Sequence, residues 1–197
     1  MFRLYHINDC TPSEYAHYYA LMSDEKKARV DRYRFEADKQ RTVIGEMLAR
    51  RMIAAACGIP EEAIRFDIAD GGKPYTASAP VHFSISHSGN YVLCAVSDEP
   101  IGADIEKLRP VEDRLIAFVC TEEEAAHVAE AADEAQRERR FFRIWTAKEA
   151  CFKYRGTGIG DFKSIDTMDA STAQHLQTDF HGEYAVSIYT HQPTKKE

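Results

Sequence analysis

Two carboxylates stand two residues apart in an otherwise apolar hexapeptide, Ile101-Gly102-Ala103-Asp104-Ile105-Glu106. In a strand, side chains alternate between faces, so Asp104 and Glu106 share one face and Ile101, Ala103 and Ile105 the other. Like charges about 4 Å apart repel by roughly 4 kcal/mol at an effective dielectric of about 20. A hard cation, a cluster of basic side chains, or open water along a solvated edge strand could offset that repulsion. Magnesium usually takes one or two carboxylates together with phosphate and water, so a third acid would strengthen the cation reading. Glu149 is the candidate. It stands in WTAKEACFK, where Trp145, Glu149 and Lys153 recur at spacings of four on one helix face. The same spacing describes an ordinary surface Glu–Lys pair, worth only a few tenths of a kcal/mol. However, Phe141, Phe142, Ile144, Cys151 and Phe152 make this helix apolar around most of its circumference. A carboxylate held there without a partner would be expensive.

Two further groups suit anions. Ser86 and His87 end a strand that runs into the turn of SHSGNY, where the hydroxyl, the ring and the turn amides could bind a negative group. A histidine so placed equally serves as a turn donor. No GxSxG elbow accompanies it, so nothing points to a serine hydrolase. Lys26, Arg29 and Arg32 recur at three-residue spacing along one helix face, and Lys73 stands in the tight turn GGKP. Each alone reads as a solvated charge. Together they could form the positive pocket that a multiply phosphorylated ligand requires.

The elements that must position these groups alternate between helical and extended runs. Val43, Ile44, Met47, Leu48, Met52 and Ile53 predict a helix over 38–57, with Asp38 as cap and Gly58 as stop. IRFDIA (64–69), VHFSIS (81–86), YVLCAV (91–96) and IGADIE (101–106) read as strands joined by short turns, an antiparallel meander. Beyond Pro110, residues 121–135 predict a solvated helix and 141–154 a more buried one, punctuated by Gly156, Gly158 and Gly160. Segments 162–168, 174–180 and 184–191 read as strands of a second meander, and the tail QPTKKE as frayed. The expected fold is therefore α+β in two similar halves, 1–98 and 99–197, with a ligand cleft between them.

With 197 residues, 44% hydrophobic and 29% charged, the chain is an ordinary globular one. No apolar run approaches bilayer length, and MFRLYHINDC lacks a signal-peptide core. Five scattered cysteines without a CxxC pair suit free thiols in a reducing cytoplasm. A net charge of −7 argues against a general nucleic-acid binder, though not against a local basic pocket.

Taken together, IGADIE and WTAKEACFK resemble the paired signature of the 4′-phosphopantetheinyl transferases, G-x-D-x-E followed by W-(S/T/C)-x-K-E-(A/S)-x-x-K. FSISHS and GGKP upstream and GTGIG downstream extend the likeness from about Ser23 to Gly160. The two halves fit the large, monomeric class that resembles the surfactin-synthetase-activating enzyme, a pseudo-dimer with its active site between α+β halves. The resemblance implies transfer of the phosphopantetheine arm of coenzyme A to a serine of an apo acyl or peptidyl carrier protein, with release of 3′,5′-ADP. It implies Mg2+ on Asp104, Glu106 and Glu149, with Glu149 also a base toward the serine and Lys153 neutralising phosphate charge. Glu123 is an alternative base, and Lys148 takes a supporting role. Lys26, Arg29, Thr42, Lys73, Ser86 and His87 fall where the family contacts coenzyme A. Ala103 departs from a usual bulkier aliphatic, and a C-terminal extension found in relatives is expected to be missing. Neither a membrane nor nucleic acid is an expected partner. The alternatives are a coenzyme A-binding module without transfer activity, which would be marked by loss of an acid or Lys153, and a metal-dependent phosphohydrolase.

Overall fold

The computed structural model describes residues 1–191; the tail read as frayed lies outside them. In chain order the elements are β1 (Phe2–His6), α1 (Pro12–Leu21), α2 (Asp24–Asp31), α3 (Glu36–Cys57), β2 (Asp67–Ile68), β3 (Pro74–Tyr75), β4 (His82–Ser88) and β5 (Tyr91–Ser97). Then follow β6 (Ile101–Lys107), α4 (Asp113–Val119), α5 (Glu122–Ala129), α6 (Glu134–Arg155), α7 (Ala170–Ala173), β7 (Leu176–His181) and β8 (Tyr184–Thr190). Two antiparallel three-stranded sheets, ordered β1-β5-β4 and β6-β8-β7, each carry one long helix, so the α+β pattern occurs twice.

Three apolar clusters order these layers. Val43, Ile44, Met47 and Leu48 of α3 meet Phe83, Val92 and Cys94 on the outer face of the first sheet. Phe141, Phe142, Cys151 and Phe152 of α6 pack with Ala185 on the outer face of the second. Between the sheets, Leu93 and Ala95 face Ile101, Ala103, Ile105, Val186 and Ile188. This middle layer corrects the expected meander: β6 does not extend the β4–β5 hairpin but pairs with β8, in register from Ile101↔Thr190 to Lys107↔Tyr184. Its isoleucine face is better buried laid across Leu93 and Ala95 than hung on an open sheet edge.

Other boundaries also shift. The helix expected at 38–57 begins at Glu36, and Asp38 binds the Arg41 guanidinium at 2.5 Å instead of capping. Of IRFDIA only Asp67–Ile68 is extended, paired with Pro74–Tyr75 across the glycine turn. The solvated helix of 121–135 ends at Ala129, with Glu124 and Val128 wholly buried, and Asp133 caps a new helix at Gln136. Residues 162–168 are not a strand: Asp161 caps a single turn of 3-10 helix at Phe162–Ser164, which tucks Phe162 beneath α6.

Candidate active site

Gly102, Asp104 and Glu106 lie on the face of β6 turned toward α6. A β-carbon on Gly102 would lie 1.9 Å from the Ala150 carbonyl oxygen, so only glycine lets this turn of α6 rest on the strand. That contact sets Glu149 and Lys153 opposite the two acids. The Lys153 ammonium approaches Asp104 Oδ1 at 2.7 Å and donates to Ser86 Oγ at 2.8 Å, while Ser86 itself donates to the same Oδ1 at 2.7 Å. Lys153 therefore pairs with Asp104 across the chain, not with Glu149 one turn away. Ser88 donates to Glu106 Oε2 at 2.9 Å, and Arg109 lies 3.5 Å from that oxygen.

A cavity of about 780 Å3 opens over this group. Its lining brings Asp104, Glu106, Glu149, Lys153, Ser86 and His87 together with Lys26, Arg29 and Arg32. Lys26 is held by Glu46 Oε2 at 2.7 Å, and Glu46 is itself buried against Arg50. Thr42 lines the wall, its hydroxyl donating to the Asp38 carbonyl at 2.9 Å. Lys73 is not among the lining residues: its ammonium donates to the Ile101 carbonyl at 2.8 Å, and burial lowers its pKa to about 8. The glycine turn beside it meets the end of α6, since a β-carbon on Gly71 would strike the Gly156 carbonyl. Thus the GGKP and GTGIG stretches come together.

Burial, then repulsion from Asp104, pushes the Glu149 carboxyl up to about 7, opposed by Lys153 and reinforced by Glu106. Glu106 is raised for the same two leading reasons, burial and then Asp104. His87 is lowered by its packed surroundings and by the charges of Arg41 and Lys153. Among the described residues, no three His, Cys, Asp or Glu side chains are gathered into a formed metal centre. What does suit a cation is Asp104 Oδ2, a buried carboxylate oxygen with no hydrogen-bond partner, beside two further acids that burial makes costly to ionise. The donor set is all oxygen, as magnesium requires.

Glu123 stays exposed on α5, outside the cavity lining, and its neighbour Glu124 is the buried acid. Lys148, 0% exposed, donates to the Val119 and Phe162 carbonyls at 2.8 and 3.0 Å and pairs with Glu124 at 2.5 Å. It ties α4, α5 and the Phe162 turn to the helix that carries Glu149. Arg41, a cavity residue that sequence reasoning missed, donates to the Gly89 carbonyl at 2.7 Å. Its one signal in the sequence was adjacency to Thr42. Glu46 was also missed, although an acid inside an apolar helix stripe is itself a signal.

Such a cleft, lined by both carboxylates and cations, offers partners to a polyanion and to a cation bound with it. Residues 100–196 match the family described as the 4′-phosphopantetheinyl transferase superfamily, and residues 9–99 the one described as 4′-phosphopantetheinyl transferase, N-terminal. The chain belongs to the 4′-phosphopantetheinyl transferase superfamily. It is 39% identical over 142 residues, 71% of its length, to 4′-phosphopantetheinyl transferase psf-1 of Bacillus pumilus, covering 60% of that protein. A 4′-phosphopantetheinyl transferase of Bacillus subtilis is 38% identical over 142 residues, with 71% of this chain and 62% of that protein covered. Against 4′-phosphopantetheinyl transferase Sfp of Bacillus subtilis strain 168, identity is 30% over 160 residues, covering 81% of this chain and 71% of that protein. The chain thus spans 60% and 62% of the length of the first two relatives.

Proposed function

We propose that this protein transfers the 4′-phosphopantetheine arm of coenzyme A to a serine of an apo acyl or peptidyl carrier protein. The observation that carries the reading is the unpartnered Asp104 Oδ2 beside Glu106 and Glu149, in a cavity that Lys26, Arg29 and Arg32 also line. Coenzyme A suits that lining: its pyrophosphate would lie by Asp104, Glu106 and Glu149, its 3′-phosphate by Lys26 and Arg29, with Thr42, Ser86 and His87 along the wall. Asp104, Glu106 and Glu149 would hold magnesium, which supplies charge neutralisation on the diphosphate. Glu149 would accept the proton of the carrier serine as the serine oxygen bonds to the β-phosphorus. The bond from that phosphorus to the bridging oxygen breaks, and 3′,5′-ADP leaves. Lys153 offsets the negative charge that develops on the phosphates.

Two halves divided at 98/99 would each contribute one wall of the site. Five unpaired thiols suit a reducing cytoplasm, and the enzyme would act there as a monomer. Among the described residues no helix is long and apolar enough to cross a membrane. The test is mass spectrometry of apo-carrier proteins incubated with the protein, coenzyme A and Mg2+. A covalent gain of one phosphopantetheine on the carrier serine is expected. Binding of coenzyme A without transfer to any carrier, or its hydrolysis without a carrier, would overturn the reading.

A further inference from the structure

The serines of Phe83-Ser84-Ile85-Ser86-His87-Ser88 recur at period two, so all three project from one face of β4, away from Phe83 and Ile85. That face meets β6, to which β4 has no backbone ladder because the two strands belong to different sheets. The hydroxyls take over the joining. Ser84 Oγ accepts the Ala103 N–H at 3.0 Å. Ser86 Oγ accepts from Lys153 at 2.8 Å and gives its proton to Asp104 Oδ1 at 2.7 Å. Ser88 Oγ accepts the Lys107 N–H at 3.0 Å and gives its proton to Glu106 Oε2 at 2.9 Å.

The direction of these bonds matters. A serine hydroxyl has one proton, and at Ser88 a backbone amide already donates to the oxygen, so the proton is free to turn toward the carboxylate. The amide fixes the hydroxyl and the hydroxyl fixes the acid. The outcome is the same at both acids. Asp104 takes both its donors on Oδ1 and leaves Oδ2 bare. The hydrogen bonds of Glu106 among the described residues all fall on Oε2, leaving Oε1 without one. One oxygen of each carboxylate is tied back and the other is presented. Outer-shell partners do this in metal sites, where they hold ligand orientation and are costly to remove.

We propose that the serines of β4 form a hydroxyl ladder that orients the β6 carboxylates for a divalent cation, with Ser88 a positioning residue for Glu106. The inference rests on the cation reading above, and it assigns to one half of the molecule the orientation of ligands carried by the other.

Titration of the whole, metal-free chain with Mn2+ alone, followed by loss of the free-ion electron paramagnetic resonance signal, tests it without any turnover. Ser88→Ala should weaken Mn2+ binding about tenfold or more, and Ser88→Thr, which keeps the hydroxyl, should stay within about threefold of wild type. In transferase assays the Ser88→Ala loss should appear as a raised requirement for metal, with KM for coenzyme A unchanged at saturating metal. Should Ser88→Ala fail to fold, Ser88→Cys, a near-isostere and poor donor, should weaken binding in the same direction. Wild-type affinity in the folded Ala or Cys variant would overturn the ladder while leaving the cation reading intact. A wild-type chain that binds no Mn2+ would overturn both.

Discussion

The Gly102 α-carbon and the Ala150 carbonyl are in such close approach that a side-chain carbon between them would sit 1.9 Å from the oxygen and 2.5 Å from the Tyr154 amide nitrogen. This contact seats the middle of α6 on β6, and with it the bonds that Lys153 makes to Asp104 and Ser86. Gly102→Ala must push the helix away, because neither backbone can yield alone. Overpacking of this kind costs about 1–3 kcal/mol. The variant should unfold at lower urea and lose transferase activity far beyond what its remaining folded fraction explains.

Lys148 and Glu124 make a wholly buried pair, with Thr167 also donating to Glu124 Oε1 through its amide at 2.9 Å and its hydroxyl at 2.7 Å. Removing one partner strands a charge in the core. Lys148→Met should therefore cost about 3–5 kcal/mol in urea unfolding, and adding Glu124→Leu should recover a substantial part of it. A double variant no better than the single would show that the pair is not the source of the loss.

Glu149 contributes to the site's pH dependence in metal-free protein, beside Glu106, which is also raised, and His87, which is lowered. Its folded pKa, about 7, lies above the ordinary carboxylate value of 4.5. The native state thus holds a proton that the unfolded chain has released, so the residue costs nothing below pH 4.5 and costs progressively more as pH rises to about 7. Glu149→Gln should stabilise metal-free protein by on the order of 3 kcal/mol at pH 8 and leave it unchanged near pH 4. Thermal melts in chelator across that range measure it.

Asp104→Ala and Glu149→Ala should each lower transfer to a carrier by at least about a hundredfold at saturating Mg2+, with far-ultraviolet circular dichroism unchanged. Full activity in either would refute the assignment of these two acids.

Much of this site was legible as letters before it was visible as a shape. Period-two alternation placed Asp104 and Glu106 on one face, and period-four spacing placed Glu149 with Lys153; both are intrinsic to the element and needed no tertiary knowledge. What the pattern could not reveal was which element each would face. Short turns argue for neighbouring strands, yet β6 left the first sheet because Leu93 and Ala95 offered its isoleucines a buried surface. Glu124 reads as one more solvated acid of CTEEE until Lys148, 24 residues on and in another helix, is found beside it. Lys73, set in a glycine turn, reads as free to reach a ligand, but its ammonium has the Ile101 carbonyl to satisfy. Phe162 looked like the start of a strand, and the ring stack on Trp145 holds it in a tight helical turn instead. For Glu124, Lys73 and Phe162 the deciding partner lies in another element, well away in sequence.

The most direct test is a crystal structure of the protein with coenzyme A and Mn2+, the metal located by its anomalous scattering. One ion is expected within about 2.2 Å of an oxygen from each of Asp104, Glu106 and Glu149 and of a pyrophosphate oxygen. An ion bound elsewhere, or a diphosphate seated in the cleft with those carboxylates turned away from it, would contradict it.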